Sequence, residues 1–322
     1  MKIFNALILG KTDFLGLDNE KMFNFAHSQL YQMFKIFQFA TLFFIVSLLS
    51  CSNRPEQENR IMVTIEPQRY FAQQLVDSLF EIITLVPPGS SPENYDPTPR
   101  EMAQLARSKA YFCIGHIGFE NVWLERLKSN HPQVVFFDNS EGIDLIAGDH
   151  HHHHAMDADD LHAHFDPHTW SSPRQARILV ENMFAALLEI DPEHTDIYQK
   201  NRDKLLSEIE VTDRIVSSYL EHSPQKAFII YHPALSYLAR DYGLTQYAIE
   251  TEGKEPSPEQ LKRLVDLAGK EAIRTVFIQQ EFDRKNAEII ARETGCRLEI
   301  INPLSYDWNE ETIRIAKILS DE

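Results

Sequence analysis

Cysteine is scarce in this 322-residue chain: Cys51, Cys113 and Cys296 are the only three, and no two stand in a CxxC spacing. A thiolate zinc cluster therefore has no basis in the sequence. Basic residues are also few. Against 48 Asp and Glu there are 31 Lys and Arg, a formal net charge of −17. That balance argues against nucleic acid or an anionic membrane surface as partner, and it suits a protein that meets cations. Neither HExxH nor Gly-x-Ser-x-Gly occurs, so two common hydrolase signatures are missing. The apolar run over 39–50 is too short to span a bilayer comfortably.

That run ends Leu48-Leu49-Ser50-Cys51 and is followed by polar Ser52, Asn53 and Arg54. The pattern looks like a bacterial lipoprotein signal, with Cys51 as the lipidated first residue of the mature chain. Asp13, Asp18 and Glu20 are odd in a signal, and Met33-Phe34-Lys35 is a more natural start. Residues 1–50 are therefore set apart from the fold, and 51–60 form a tether. An acyl anchor places the protein outside the cytoplasmic membrane, held to it by lipid alone.

The rest is ordinary globular material: 43% of residues are hydrophobic, and the length allows two domains. Short apolar runs predict strands over 61–65, 82–86, 110–114 and 134–137, separated by helices over 69–80, 99–108 and 119–129. Ser172 and Pro173 predict an N-cap and first helical residue, with a helix to about 189. A second helix follows over about 193–221. A further series has strands over 227–231, 275–278 and 298–301, with helices over 233–242, 258–270, 286–294 and 310–319. Ser257, Pro258 and Gln260 have capping-box character. Strands alternating with helices imply an α/β fold with parallel sheets. We read two parallel-sheet α/β lobes, 61–191 and 225–322, joined by one long interdomain helix within 192–224.

Histidine is unevenly placed. Eight of the 14 fall in 149–170: His150, His151, His152, His153 and His154, then His162, His164 and His168. Neutral imidazole is the commonest protein metal ligand, and a His-rich tract mixed with Asp is a compositional metal signal. The tract over 149–164 reads as an auxiliary loop that gathers metal loosely by weak multivalent binding. His168, in Asp166-Pro167-His168-Thr169-Trp170, reads as part of a defined site, with Asp166 placed to orient its ring.

Parallel sheets bind ligands beyond the carboxyl ends of their strands. The polar residues there are Glu93, His168, His232, Gln279, Gln280, Glu281 and Asn302. A lone histidine after a strand is more often structural, and a lone loop glutamate is usually solvated. Convergence of Glu93, His168 and His232 with a group near Gln279 or Asn302 would suit zinc, which takes about four N, O or S ligands.

These residues carry a resemblance. Pro88-Gly89-Ser90-Ser91-Pro92-Glu93-Asn94-Tyr95, the Asp-Pro-His-Thr-Trp segment, Tyr231-His232-Pro233-Ala234, Pro256-Ser257-Pro258 and Asn302-Pro303-Leu304 together resemble the cluster A metal-binding lipoproteins of ABC transporters. These are the ZnuA-like and TroA-like solute-binding proteins for zinc or manganese. The resemblance covers roughly 60–320. It implies two lobes on one long helix and, in zinc members, an acidic His-rich loop before Asp-Pro-His. It also implies Zn2+, or Mn2+, as the transported ligand, and an ABC permease with its ATPase as partners of a monomeric binding protein. The chain departs twice: Glu93 stands where the family usually has histidine, and Asn302 where it usually has aspartate. Asn302, Glu281 or water is left to complete the site. A zinc hydrolase with Glu281 as base, and a metal-buffering or adhesin lipoprotein, are the alternatives.

Overall fold

The computed structural model describes residues 24, 27–38, 57–148, 165–250 and 254–321. Cys51, His150, His151, His152, His153, His154, His162 and His164 lie outside the described residues. The chain divides into a unit over Met1–Arg54 and one over Pro55–Glu322. The described part of the first is helical. Among the described residues, no helix is long and apolar enough to cross a membrane. The second unit holds two four-stranded sheets.

The first sheet consists of β1 (Arg60–Val63), β2 (Glu81–Thr84), β3 (Ala110–Cys113) and β4 (Val135–Asp138), ordered β2-β1-β3-β4. All its pairings are parallel. Its connections run through α1 (Glu66–Val76), α2 (Pro99–Arg107) and α3 (Gly118–Asn130). The apolar strand β3 is buried throughout, as expected of a strand covered on both faces. The helix α1 starts earlier than apolar periodicity predicts, because Pro67 suits a first turn and Gln68 caps it. Gln68 Oε1 accepts from the N–H groups of Thr64 and Ile65 at 3.0 and 3.3 Å. The helix also ends earlier, at Asp77, whose φ of 54° leaves the helical region.

The second sheet repeats the topology. Its strands β5 (Ala227–Ile230), β6 (Thr245–Ala248), β7 (Thr275–Gln279) and β8 (Arg297–Ile301) are ordered β6-β5-β7-β8 and are parallel. Sequence reading does not show β6. Thr-Gln-Tyr-Ala is not an apolar run, and as an edge strand it has one neighbour.

Between the sheets lie α4 (Pro173–Ile190) and α5 (Thr195–Glu221). Ser172 caps α4 by accepting from Arg174 N–H at 3.3 Å. At 27 residues, α5 is about 40 Å long. Tyr198, Leu205 and Ile209 enter the core of the first lobe, whereas Val216 and Leu220 enter a core of the second. One apolar stripe thus serves two lobes. The second lobe is completed by α6 (Ser236–Asp241), α7 (Pro258–Lys270), α8 (Lys285–Thr294) and α9 (Trp308–Ser320). At the start of α7, Ser257 N–H donates to Gln260 Oε1 at 2.7 Å, and Gln260 N–H donates to Ser257 Oγ at 3.2 Å.

The lobes interlock rather than merely touch. Tyr237 and Trp308 belong by sequence to the second lobe but pack into the first lobe's core. Trp170 Nε1–H donates to Pro303 O at 2.9 Å, and Trp308 Nε1–H donates to Trp170 O at 2.7 Å. Tyr237 OH donates to Asp166 O at 2.7 Å and accepts from Ile146 N–H at 3.2 Å. Each buried bond contributes about 1 kcal/mol net but costs more if one partner is removed.

Candidate metal centre

Glu93, His168 and His232 each offer a ligand atom, and these atoms lie within 4.8 Å of one another. His168 Nε2 and His232 Nε2 are 3.2 Å apart. Glu93 Oε1 is 3.7 Å from the first and 3.8 Å from the second. Zinc–nitrogen bonds of 2.0–2.1 Å in a tetrahedron put ligand atoms about 3.3 Å apart. The imidazole pair stands at that separation, and the carboxylate lies a few tenths of an ångström outside it.

Each side chain is held from behind. His168 is buried. Its Nδ1 lies 2.9 Å from Asp166 Oδ1, which also accepts from His168 N–H at 2.9 Å. With Nδ1–H donating to Asp166, the Nε2 lone pair faces the cavity. Burial alone would lower the His168 pKa, but Asp166, Glu93 and Glu250 outweigh it and the net direction is up. Asp166 responds in reverse: burial pushes its carboxyl up, but His168 holds it below the ordinary carboxylate range.

His232 follows β5, beside the point where strand order reverses. Gln279 at the end of β7 clamps its backbone: Gln279 Nε2 donates to His232 O at 2.7 Å, and His232 N–H donates to Gln279 Oε1 at 3.3 Å. Its Nδ1 lies 3.4 Å from Oε1 of buried Glu250. Phe282 stacks on the ring at 5.4 Å.

Glu93 is placed by the amino end of α3. Ile117 offers that helix no side-chain cap, so its first N–H groups need other acceptors. Phe119 N–H donates to Pro92 O at 3.1 Å and Gly118 N–H to Glu93 Oε2 at 3.2 Å. A helix amino end favours an anion there. The other oxygen, Glu93 Oε1, is buried and has no hydrogen-bond partner among the described residues. It faces two imidazole nitrogens that both point lone pairs at the same spot when their Nδ1 atoms carry the protons. A cation there would relieve all three.

The cavity among these groups measures about 20 Å³, enough for one small ion or one water. Glu281 lines it. Burial pushes the Glu281 carboxyl up, while His232 acts to lower it. Asn302 is not brought into this cavity. It lines two neighbouring ones, its backbone N–H donates to Glu311 Oε1 at 2.7 Å, and Pro303 and Leu304 occupy the wall instead. An antechamber of about 140 Å³ adjoins the site, lined in part by Glu93, His232, Glu250 and Glu255.

Sequence reading missed two supporting residues and gave a third a different role. Glu250 follows the polar strand β6, which gave no apolar signal. Gly118 is recognisable only as the second glycine of Gly115-His116-Ile117-Gly118, directly after β3. Gln279 was grouped with possible ligands but acts on the backbone of one.

The sequence matches a known family. The model of the zinc-uptake complex component A, periplasmic (ZnuA), matches residues 61–313. The chain belongs to this family. The high-affinity zinc uptake system protein ZnuA of Bacillus subtilis is 27% identical over 258 residues, 78% of this chain and 80% of that protein. The zinc-binding lipoprotein AdcA of Streptococcus pneumoniae is 27% identical over 282 residues, covering 82% of this chain and 54% of its own length. A crystal structure of ZnuA superposes with a TM-score of 0.74 at 34% identity, covering 81% of this chain and 97% of the other. The family is one of metal-binding transport components that work outside the cytoplasm.

Proposed function

We propose that this protein captures a single zinc ion between its two lobes through Glu93, His168 and His232, and delivers it to an ABC permease driven by a cytoplasmic ATPase. The observation that carries the reading is the buried, unpartnered Glu93 Oε1 facing two imidazole nitrogens. Two imidazoles favour zinc over manganese, which prefers oxygen-rich sites of higher coordination. The groups that line the cavity suit a cation and the family is one of transport components, so the work we assign is capture and handover rather than bond chemistry. Acylation at Cys51 would keep the protein beside the permease, and the histidines of 149–164 would raise the local supply of metal.

Zinc titration of the mature chain tests this, using chelator competition and native mass spectrometry. Wild type should bind one ion tightly, and His168→Ala and His232→Ala should each lose that ion. Full affinity in both variants would reject the site.

A further inference from the structure

We infer that Glu281 supplies the closing, exchangeable fourth ligand of this site, taking the place that Asn302 would fill by sequence position. The inference rests on the zinc-capture reading above. Glu281 follows β7, and its side chain lines the same small cavity as Glu93, His168 and His232. Asn302 lines only the cavities on either side. Glu281 also borders the neighbouring cavity that Asn302 lines, so the residue stands between the two spaces.

Three ligands leave zinc one short of its usual tetrahedron. One carboxylate and two neutral imidazoles also leave the centre with a net positive charge of about one, which is costly in a site this buried. A second carboxylate corrects both deficits, whereas an asparagine amide corrects neither the charge nor the weakness of the ligand.

Glu281 differs from the other three in how it is held. Gly118 N–H fixes Glu93, Asp166 fixes His168, and Gln279 with Glu250 fixes His232. Among the described residues, Glu281 is not in the ligand cluster. Its carboxylate bonds only locally, to its own backbone N–H, with no clamp from another element among the described residues, and it sits in the half-buried turn after β7. Three preset ligands with one that swings in make a site that can fill and empty without moving the interlocked lobes. Glu281 folds over the captured ion and withdraws at release.

The test uses the mature chain loaded with zinc, and with cobalt(II) as a spectroscopic stand-in. Glu281→Gln should keep the fold and bind zinc at least tenfold more weakly. It should also alter the visible cobalt bands, as water replaces a carboxylate. Asn302→Ala should leave affinity within twofold and the cobalt spectrum unchanged. Wild-type affinity and spectrum in Glu281→Gln would overturn the assignment, as would a larger loss in Asn302→Ala. If wild type holds zinc and both histidine variants lose it while Glu281→Gln does not, this inference alone fails. If wild type holds no zinc, both readings fail.

Discussion

Gly118→Ala asks whether the amino end of α3 sets the position of Glu93, the proposed carboxylate ligand. A Cβ at Gly118 would fall 2.3 Å from the carbonyl oxygen of Glu93 and 2.9 Å from Glu93 Oε2, where ordinary contact begins near 3.4 Å. The nearer atom is backbone and cannot rotate away. The loop carrying Glu93 must therefore retreat by roughly 1 Å, and its exposed flanks at Gly89, Asn94 and Asp96 let it move at modest cost to the fold. Metal–ligand distances tolerate about 0.2 Å. The N–H that donates to Glu93 survives the substitution, so the change is steric alone. Loss of a group that orients a ligand typically costs about 10- to 100-fold in metal affinity, and we expect zinc binding to weaken by that factor.

The control is built into the chemistry. Gly118 opens a helix, and alanine is the better helix former by up to about 1 kcal/mol. The metal-free variant should therefore melt close to wild type while its zinc affinity falls. Chelator competition gives the affinity and thermal melting of the metal-free protein gives the stability. Wild-type affinity in a folded variant would refute the claim that this helix end positions Glu93. A parallel collapse of stability and affinity would mean that Gly118 serves the fold instead.

Two further outcomes rest on the same physical grounds. Glu120 is buried, accepts from the N–H groups of Ile114 and Gly115 at 3.0 and 2.5 Å, and also meets Thr64 Oγ1. Burial pushes its pKa from 4.5 to about 7, so its contribution to stability is full below pH 4.5 and is lost as pH rises through about 7. The loss amounts to about 3 kcal/mol. Urea unfolding of Glu120→Gln should show a flatter pH profile than wild type across that window, and parallel profiles would refute it. Trp170→Phe leaves the Pro303 carbonyl without its donor and opens space between the lobes, and should cost on the order of 2–3 kcal/mol. Denaturation of the metal-free variant measures this, and an unchanged midpoint would show that the paired indoles do not tie the lobes.

The division between what the sequence disclosed and what it hid has a physical basis. Both sheets were legible, β6 apart, because their strands are short apolar runs. Of the apolar positions that suggest α5, Leu205, Ile209, Val211, Ile215 and Tyr219, only Leu205 and Ile209 are buried, and Thr212, Val216 and Leu220 continue the buried face. The three residues proposed as ligands, which the structure brings together, were legible because they sit where strands or loops end, next to proline: Pro92-Glu93, Pro167-His168, His232-Pro233. Asp166, two residues from His168, was legible too, but the other groups that hold them were hidden, because each lies on a different element from the residue it serves. Glu250 supports His232 from the end of an edge strand with no apolar signature, and Gly118 supports Glu93 through a main-chain N–H that any residue except proline possesses. Only the space around Gly118 shows why it must be glycine. Asn302 illustrates the converse error. Being next after a strand puts a residue at the rim of the sheet but does not decide which cavity its side chain enters. At this rim Pro303 and Leu304 take the wall beside the imidazoles, and Glu281, on the neighbouring strand's turn, lines the same cavity. Ligand identity is thus a local property of a strand end, but coordination is a property of two sheets facing each other. Only the first can be read along a single chain.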